Sequence, residues 1–159
     1  MTNSKTINVT WNKLDSIIIE FINQVRIRPD VIIGIQRGGL IPSIFISHKL
    51  NVREFIVVNV QRTSSDDINA IKKNPIMIEN NQLSAIVNKN ILLVDDIVGT
   101  GLTLNYLKEN LTKYNPHSIS VFTCFLNLDN WEQCNSKSPD EKIDFIGEKV
   151  RGWVIFPWE

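Results

Sequence analysis

The sequence predicts an α/β fold in which a parallel sheet is covered by helices on both faces. Three observations predict it. Short apolar runs rich in β-branched residues recur along the chain, for example at residues 31–35 and 90–94, and are typical of strands buried on both faces. Segments of helical periodicity separate these runs. Glycine-rich turns follow two of them, and the resulting strand, helix, strand order favours parallel neighbours.

The first strand and helix are predicted before residue 30. Ile7 and Val9 alternate with polar neighbours and indicate a short strand. Thr10 is suited to cap the helix that follows, and the Arg-Pro-Asp sequence around Pro29 should end it. The predicted apolar face of this helix comprises Trp11, Leu14, Ile18, Phe21, Ile22 and Val25.

The next strand, helix and strand follow in order. The buried run 31–35 leads into a glycine turn, after which Pro42 lies in the first turn of a helix running to about Leu50. Residues 55–60 are apolar and β-branched, and they predict the next strand.

A polar stretch then interrupts the pattern. Residues 61–85 are rich in Ser, Asp, Asn and Lys and show no clear periodicity. Long irregular segments inside compact domains are often active-site lids, so we expect a flexible lid here.

The remaining core elements resume after this stretch. The strand 90–94 should end at Asp95 and Asp96, and a helix is predicted over 102–114 and a strand over 119–126. Beyond it the pattern loosens, with only a short apolar return near the C-terminus. We therefore expect a core domain over 1–126 and a small hood subdomain over 127–159 that packs on the sheet edge.

Composition restricts the function classes. Seventeen basic and seventeen acidic residues balance among 159, and no basic cluster suited to nucleic acid or anionic membranes stands out. The N-terminus lacks the apolar core of a secretory signal, and no apolar run could span a bilayer. Cys124 in an apolar run and Cys134 in a polar loop form no metal pattern, which favours reduced thiols in a cytoplasmic protein.

The loop after the 90–94 strand carries most of the functional argument. Asp95 and Asp96 end a buried strand, where two adjacent carboxylates need a metal ion or hydroxyl groups. Gly99 and Gly101 flank Thr100 just before a predicted helix, so backbone N–H groups can converge on an anion. A sugar phosphate with vicinal hydroxyls would satisfy both ends. The Gly-Lys-Ser/Thr ending of a Walker loop is missing.

A second glycine turn also joins a strand to a helix. It runs Gln-Arg-Gly-Gly, with Arg37 at its apex before Gly38 and Gly39. A guanidinium group binds phosphate oxygens in a fork, so this turn is a candidate anion site. Ligands of parallel sheets gather beyond the carboxyl ends of the strands, where both turns are predicted to lie.

Residues 91–104 resemble the signature of the type I phosphoribosyltransferases, an apolar strand followed by two acids and a Thr-Gly loop. The resemblance is strongest to the xanthine-guanine and hypoxanthine enzymes and implies a Rossmann-like core with a C-terminal hood. It implies that Asp95 and Asp96 hold the ribose hydroxyls and Mg²⁺, and are catalytic together with Arg37. The implied 5-phosphate contacts of phosphoribosyl pyrophosphate are Val98, Gly99, Thr100, Gly101 and Thr103.

The same resemblance assigns the first glycine turn and the tail. Arg37 and Gly38 would receive the pyrophosphate, and the peptide bond before Arg37 would be cis. Trp153 would stack on the base, and Glu159 would be an acid near both the metal and the base. Two plainer interpretations stay open: Trp153 simply closes the core, and Glu159, at the chain end, frays.

Two departures from the resembled family leave the acceptor open. Purine enzymes of this family usually carry an Asp where this chain has Gly99, and a Lys near the position of Asn127. The resemblance therefore implies transfer of phosphoribosyl to a nitrogenous base, with purine salvage expected. A non-purine acceptor and a non-catalytic sensor of the phosphosugar are the alternatives. Mg²⁺ is the implied cofactor, the phosphosugar and a nucleobase the implied partners, and a homodimer is possible.

Overall fold

The computed structural model describes residues 6–63, 72–77 and 81–159. The helices are α1 (Trp11–Gln24), α2 (Leu40–Leu50), α3 (Leu102–Thr112) and α4 (Leu128–Cys134), with 3₁₀ turns at Asn81–Ile86 and Pro139–Glu141. The strands are β1 (Thr6–Asn8), β2 (Val31–Gln36), β3 (Glu54–Thr63), β4 (Lys72–Met77), β5 (Asn90–Val98), β6 (Ser118–Asn127), β7 (Phe145–Val150) and β8 (Trp153–Ile155).

Six strands form the central sheet in the order β4-β3-β2-β5-β6-β7. The neighbours from β3 to β7 pair in parallel, whereas β4 pairs antiparallel with β3. β1 and β8 form a separate, parallel two-stranded sheet. The predicted α/β class, with a parallel sheet and helices over both faces, is therefore confirmed.

The first helix begins as predicted but ends at Gln24, before the stop predicted around Pro29, so Val25 of the predicted face lies beyond it as an extended C-cap. Thr10 caps it by accepting a hydrogen bond from the backbone N–H of Lys13 at 3.2 Å. Leu14 and Ile18 are fully buried beneath it, but Trp11 is 49% exposed. Trp11 lies at the helix start, where its ring stacks on Phe45 of α2 instead of entering the core.

Two apolar cores lie on opposite faces of the sheet. The first lies beneath α1 and α2 and includes three aromatic rings, Phe21, Phe122 and Phe145, whose centroids are 4.8–5.4 Å apart. The second lies beneath α3 and includes Leu107 and Trp131. Because strand residues alternate between the faces, each central strand supplies side chains to both cores.

The polar segment 61–85 is more regular than the sequence predicts. β3 continues to Thr63, β4 adds an antiparallel edge strand, and Asn81–Ile86 forms a 3₁₀ turn. Edge strands need no apolar run on both faces, which is why periodicity missed β4. Residues 64–71 and 78–80 lie outside the described residues, so the lid role stays a prediction.

The C-terminal part also differs from expectation. β7 joins the central sheet beside β6, so the sheet continues past the boundary expected at residue 126. The short helix α4 was not predicted. Only β8, paired with β1, stands apart from the central sheet as a hood would.

Cys124 is buried and Cys134 exposed, and both are free thiols. Among the described residues, no helix combines the length and apolar character needed to cross a bilayer.

Candidate active site

A cavity of about 310 Å³ opens at the carboxyl ends of β5 and β6. It lies where the topology of a parallel sheet leaves loops free to meet a ligand. Its polar lining comes from the β5–α3 loop, the β6–α4 junction and the C-terminal segment. The predicted site residues that line it are Asp95, Asp96, Val98, Gly99, Thr100, Gly101, Thr103, Trp153 and Glu159, and Asn127 and Asn130 also line it.

The two adjacent acids lie within β5, because the strand continues to Val98 and does not end before them as predicted. Oδ1 of Asp95 accepts a hydrogen bond from the backbone N–H of Asp96 at 3.1 Å, and Oδ1 of Asp96 accepts one from Ile97 at 2.8 Å. Pairing with β6 holds this stretch extended, with Asp95 opposite Thr123. The carboxylates are therefore fixed at the cavity wall.

Burial raises the pKa of Asp95 well above its usual value, and the negative charge of Asp96 raises it further. Burial also raises the pKa of Asp96, and the charge of Glu159 adds to the rise, although hydrogen bonds to its carboxylate oppose it. Two partly buried acids side by side repel each other. A cation or a set of hydroxyl donors would relieve this repulsion.

The first glycine turn packs directly on the acidic strand. A Cβ atom on Gly38 would lie 1.8 Å from Oδ2 of Asp96, and one on Gly39 would lie 2.7 Å from the carbonyl oxygen of Val94. Only glycine permits this approach. Gly38 thus packs against Asp96, which lines the cavity, but does not itself line it. Arg37 is exposed at the apex of the turn, and its peptide bond with Gln36 is cis, as the resemblance implies.

The second glycine turn is supported by Trp131 and Asn135. Gly101 has φ = 75°, the left-handed region that favours glycine, and a Cβ there would lie 2.7 Å from the ring of Trp131. The carbonyl oxygen of Thr100 accepts a hydrogen bond from Nδ2 of Asn135 at 2.9 Å. Because the Thr100 carbonyl is held by the protein, the loop can present N–H groups at the start of α3 to the cavity.

The C-terminal segment closes the opposite wall. Trp153 is 36% exposed and lines the cavity, so it does not simply close the core. Oε2 of Glu159 accepts a hydrogen bond from the backbone N–H of Phe156 at 2.8 Å, which ties the final carboxylate to its own turn. Glu159 lines the same cavity as the two aspartates.

Asn127 connects the two walls. Its Oδ1 accepts from the backbone N–H of Asn130 at 3.1 Å and so caps α4, and its Nδ2 donates to the carbonyl oxygen of Gly152 at 2.7 Å. Asp129 reinforces this junction by accepting from the backbone N–H of Gly152 at 2.9 Å. Gly152, the residue before Trp153, is therefore tied to the start of α4 through both its N–H and its carbonyl group.

Sequence reasoning missed α4 and with it Asn130. An asparagine cap three residues before another polar residue, at the end of a buried strand, is the signal that could have found it. Trp131, the next residue, is buried and packs against Gly101, so α4 also supports the phosphate loop.

The predicted metal ligands do not by themselves form a metal centre. In the part of the chain that is described, no group of three or more His, Cys, Asp or Glu side chains is arranged to hold a metal ion. Asp95 and Asp96 are adjacent, and Glu159 lines the same cavity. Mg²⁺ binds through one or two carboxylates together with water and phosphate oxygens, so the donor set suits this ion when a phosphate ligand is present.

The geometry agrees with comparisons to known proteins. The family model described as a phosphoribosyl transferase domain matches residues 8–159. A xanthine-guanine phosphoribosyltransferase of Idiomarina loihiensis is 28% identical over 129 residues, which cover 80% of this chain and 70% of that protein. The human phosphoribosyltransferase domain-containing protein 1 is 44% identical over 74 residues, 46% of this chain and 30% of that protein.

The fold also has a counterpart among solved structures. The purine phosphoribosyltransferase of Pyrococcus horikoshii superposes with a TM-score of 0.75 at 28% identity. The match covers 97% of this chain and 94% of that one.

Proposed function

Because the chain belongs to the family of phosphoribosyl transferase domains, we propose that it transfers the 5-phosphoribosyl group from phosphoribosyl pyrophosphate to a purine base. One observation carries the proposal: the acid pair, the glycine-threonine loop and Trp153 line a single cavity. The similar proteins of Idiomarina and Pyrococcus bear the names of purine-specific enzymes, which supports a purine as the acceptor.

The phosphosugar would lie across the β5–α3 loop. Backbone N–H groups from Gly99 to Thr103, at the start of α3, suit the 5-phosphate, which also gains from the positive end of the helix dipole. Asp95 and Asp96 face the same cavity from the strand end and suit the ribose hydroxyls. The two ends of one ligand are thereby matched.

The residues present also fit Mg²⁺. The raised pKa values of Asp95 and Asp96 indicate two carboxylates held together at a cost, which a divalent cation would remove. Bound there with the substrate, the ion would neutralise charge on the departing pyrophosphate. Glu159 is a third carboxylate on the cavity wall and a candidate to contact the ion through water.

The transfer breaks the bond between the anomeric carbon and a pyrophosphate oxygen and forms one to a base nitrogen. The pyrophosphate takes the electron pair, positive charge develops on the ribose, and the ring proton of the free base is released to water. Arg37 would stabilise the leaving group from the first glycine turn, and Asp96, against Gly38, would keep the sugar in place beside it. Trp153 would hold the base by stacking, which orients the attacking nitrogen.

The decisive experiment is release of pyrophosphate from phosphoribosyl pyrophosphate in the presence of Mg²⁺ and single bases. We expect release with hypoxanthine, guanine or xanthine, and loss of release when EDTA removes the metal. Asp96→Asn should reduce turnover by about two orders of magnitude or more, since it removes a charge from the site. A near-normal rate in that variant would contradict its assigned role.

A non-purine acceptor remains the second candidate, because Gly99 offers no side chain to the base and both polar atoms of Asn127 bind the protein. Release only with other bases would favour it. Magnesium-dependent binding of phosphoribosyl pyrophosphate with no release for any base would indicate a sensor.

A further inference from the structure

Asn130 is a polar side chain of the cavity that neither the motif nor the fold requires. It lies in the first turn of α4 with its carboxamide directed over Gly99: a Cβ atom on Gly99 would lie 3.5 Å from both Cβ and Nδ2 of Asn130. The absence of a side chain at Gly99 leaves this amide open to the cavity, which both residues line.

The Asn130 carboxamide differs from that of Asn127 in its hydrogen bonding. No hydrogen bond joins the Asn130 carboxamide to any residue in the described part of the chain, whereas its backbone N–H donates to Oδ1 of Asn127. Asn127 uses both its polar atoms to hold α4 and Gly152. Of the two amides lining the cavity, Asn130 is therefore the one that can bind a ligand.

The amide lies beside Gly99, at the start of the phosphate loop, and shares the cavity with Trp153, the residue that we assign to the base. Trp153 follows Gly152, whose carbonyl oxygen and N–H are bound by Asn127 and Asp129, so the segment that carries Trp153 is tied to the start of α4, which carries Asn130. Asp95 and Asp96 lie on β5, before the phosphate loop. A planar base against Trp153 would present its edge to α4.

The chemistry of a carboxamide selects which edge it reads. An Asn side chain offers one acceptor and a donor pair, side by side. A free 6-oxopurine whose N9 is to attack the anomeric carbon carries its five-membered-ring proton on N7, so O6 and N7–H form an acceptor next to a donor. The amide matches this pair with two hydrogen bonds. A 6-aminopurine in the same tautomer presents two donors, and the single amide oxygen cannot accept both in this geometry.

Resting on the proposed function, we propose that Asn130 is the specificity-determining residue of the base site and selects 6-oxopurines over 6-aminopurines through the O6 and N7 edge. A carboxylate in its place would accept from both donors of a 6-aminopurine and repel O6. The identity of one side-chain atom, amide nitrogen or carboxylate oxygen, thus decides the preferred base.

The test measures kcat and KM for three acceptors: hypoxanthine, adenine and unsubstituted purine, which lacks O6. Asn130→Ala should lower kcat/KM for hypoxanthine about 10- to 100-fold, because two hydrogen bonds are lost. The loss should be clearly smaller for unsubstituted purine, which already lacks one bonding atom. The isosteric Asn130→Asp should shift the preference from hypoxanthine towards adenine.

Gln133→Ala is the matched control, since Gln133 is exposed on the same helix and does not line the cavity. It should leave kcat and KM unchanged for all three acceptors. Calorimetric binding of ribose 5-phosphate should be equal in every variant and shows that the phosphosugar half is intact even if a variant is catalytically weak.

The outcomes separate this inference from the proposed function. If the wild-type protein uses hypoxanthine but Asn130→Ala loses nothing, or loses equally with all acceptors, or Asn130→Asp keeps its preference, the inference is wrong and the proposed function stands. If the wild-type protein releases no pyrophosphate with any purine, both are wrong.

Discussion

A Cβ atom on Gly38 would lie 1.8 Å from Oδ2 of Asp96, closer than any two such atoms can approach. The two glycine turns of the sequence are far apart in the chain, yet this contact joins the first of them to the acid pair that precedes the second. Asp96 cannot move away freely, because its Oδ1 accepts a hydrogen bond from the N–H of Ile97 at 2.8 Å.

Gly38→Ala should therefore displace the Asp96 carboxylate and lower kcat/KM for phosphoribosyl pyrophosphate at least about tenfold. The stability loss should be small, since the clash is with the end of a side chain at an open cavity. Pyrophosphate release and thermal unfolding check the two effects.

Gly147→Ala provides the contrast. There a Cβ would lie 2.4 Å from Ile17 and 2.5 Å from the backbone oxygen of Cys124, inside the core. We expect a loss of about 1–3 kcal/mol in the free energy of unfolding, with unchanged affinity for phosphoribosyl pyrophosphate in the folded fraction. Equal effects of both substitutions on activity would contradict the assigned role of the Gly38 contact.

Asp95→Asn should stabilise the protein at pH 7 when no metal or phosphosugar is bound. The folded pKa of Asp95 is raised above 3.8, chiefly by burial, so between 3.8 and that raised pKa the folded state binds more protons than the unfolded state. Stability therefore falls as pH rises through this window. Above the window the ionised pair costs free energy that Asn does not. The gain in Tm should shrink as pH falls towards 3.8, while turnover is lost.

Asp140→Asn is the matched control for this sign. Its pKa is lowered, first by the hydrogen bond from Lys149, so ionised Asp140 is favoured in the folded state. The substitution should bring no gain in Tm at neutral pH. A gain for both variants, or for neither, would contradict the free-energy cost that burial and the charge of Asp96 place on ionised Asp95.

Much of this site could be predicted from sequence because its parts are local. A strand, two acids and a glycine-threonine loop are contiguous, and parallel pairing fixes where their carboxyl ends lie. The contact between Gly38 and Asp96 could not be predicted, because it depends on β2 and β5 being neighbours. The sequence indicates strands but not their order.

The base half of the site was harder to predict for a different reason. Asn130 belongs to a helix of seven residues whose apolar contribution is mainly Trp131, too short for periodicity to reveal. The hydrogen bond from Nδ2 of Asn127 to the carbonyl oxygen of Gly152 joins residues that are 25 positions apart in the sequence. A polar residue between loosely patterned segments gives no sign of such pairing.

Arg37→Ala should weaken binding of phosphoribosyl pyrophosphate but not of ribose 5-phosphate. Only the former carries the pyrophosphate that we assign to Arg37, and loss of a charge-assisted contact reduces affinity about 10- to 100-fold. Calorimetry with both ligands measures the difference. Arg53→Ala, at an exposed arginine before β3, should change neither affinity. Equal losses for both ligands would place Arg37 at the 5-phosphate instead.

Trp153→Ala should raise KM for the base about tenfold or more, because base stacking on an aromatic ring contributes about 1–3 kcal/mol. Trp153→Phe should retain most of the affinity. Tyr114 is 37% exposed, close to the 36% of Trp153, and lies just beyond α3. Tyr114→Ala should leave KM unchanged, and a similar rise in both variants would indicate a general loss of structure.

Two substitutions of Asn127 distinguish the effects of its two side-chain hydrogen bonds. Asn127→Ala removes both, and should cost about 0.5–2 kcal/mol for the lost cap of α4 and raise KM for the base. Asn127→Asp keeps an acceptor for the N–H of Asn130 but replaces the donor to the Gly152 carbonyl, which lies 2.7 Å away, with a repelling oxygen. Its helix cap should survive while KM for the base rises, because the segment carrying Trp153 is released. If Asn127→Asp matches the wild-type protein in KM, the tie to Gly152 does not position the base, and Trp153 is held in place by other contacts.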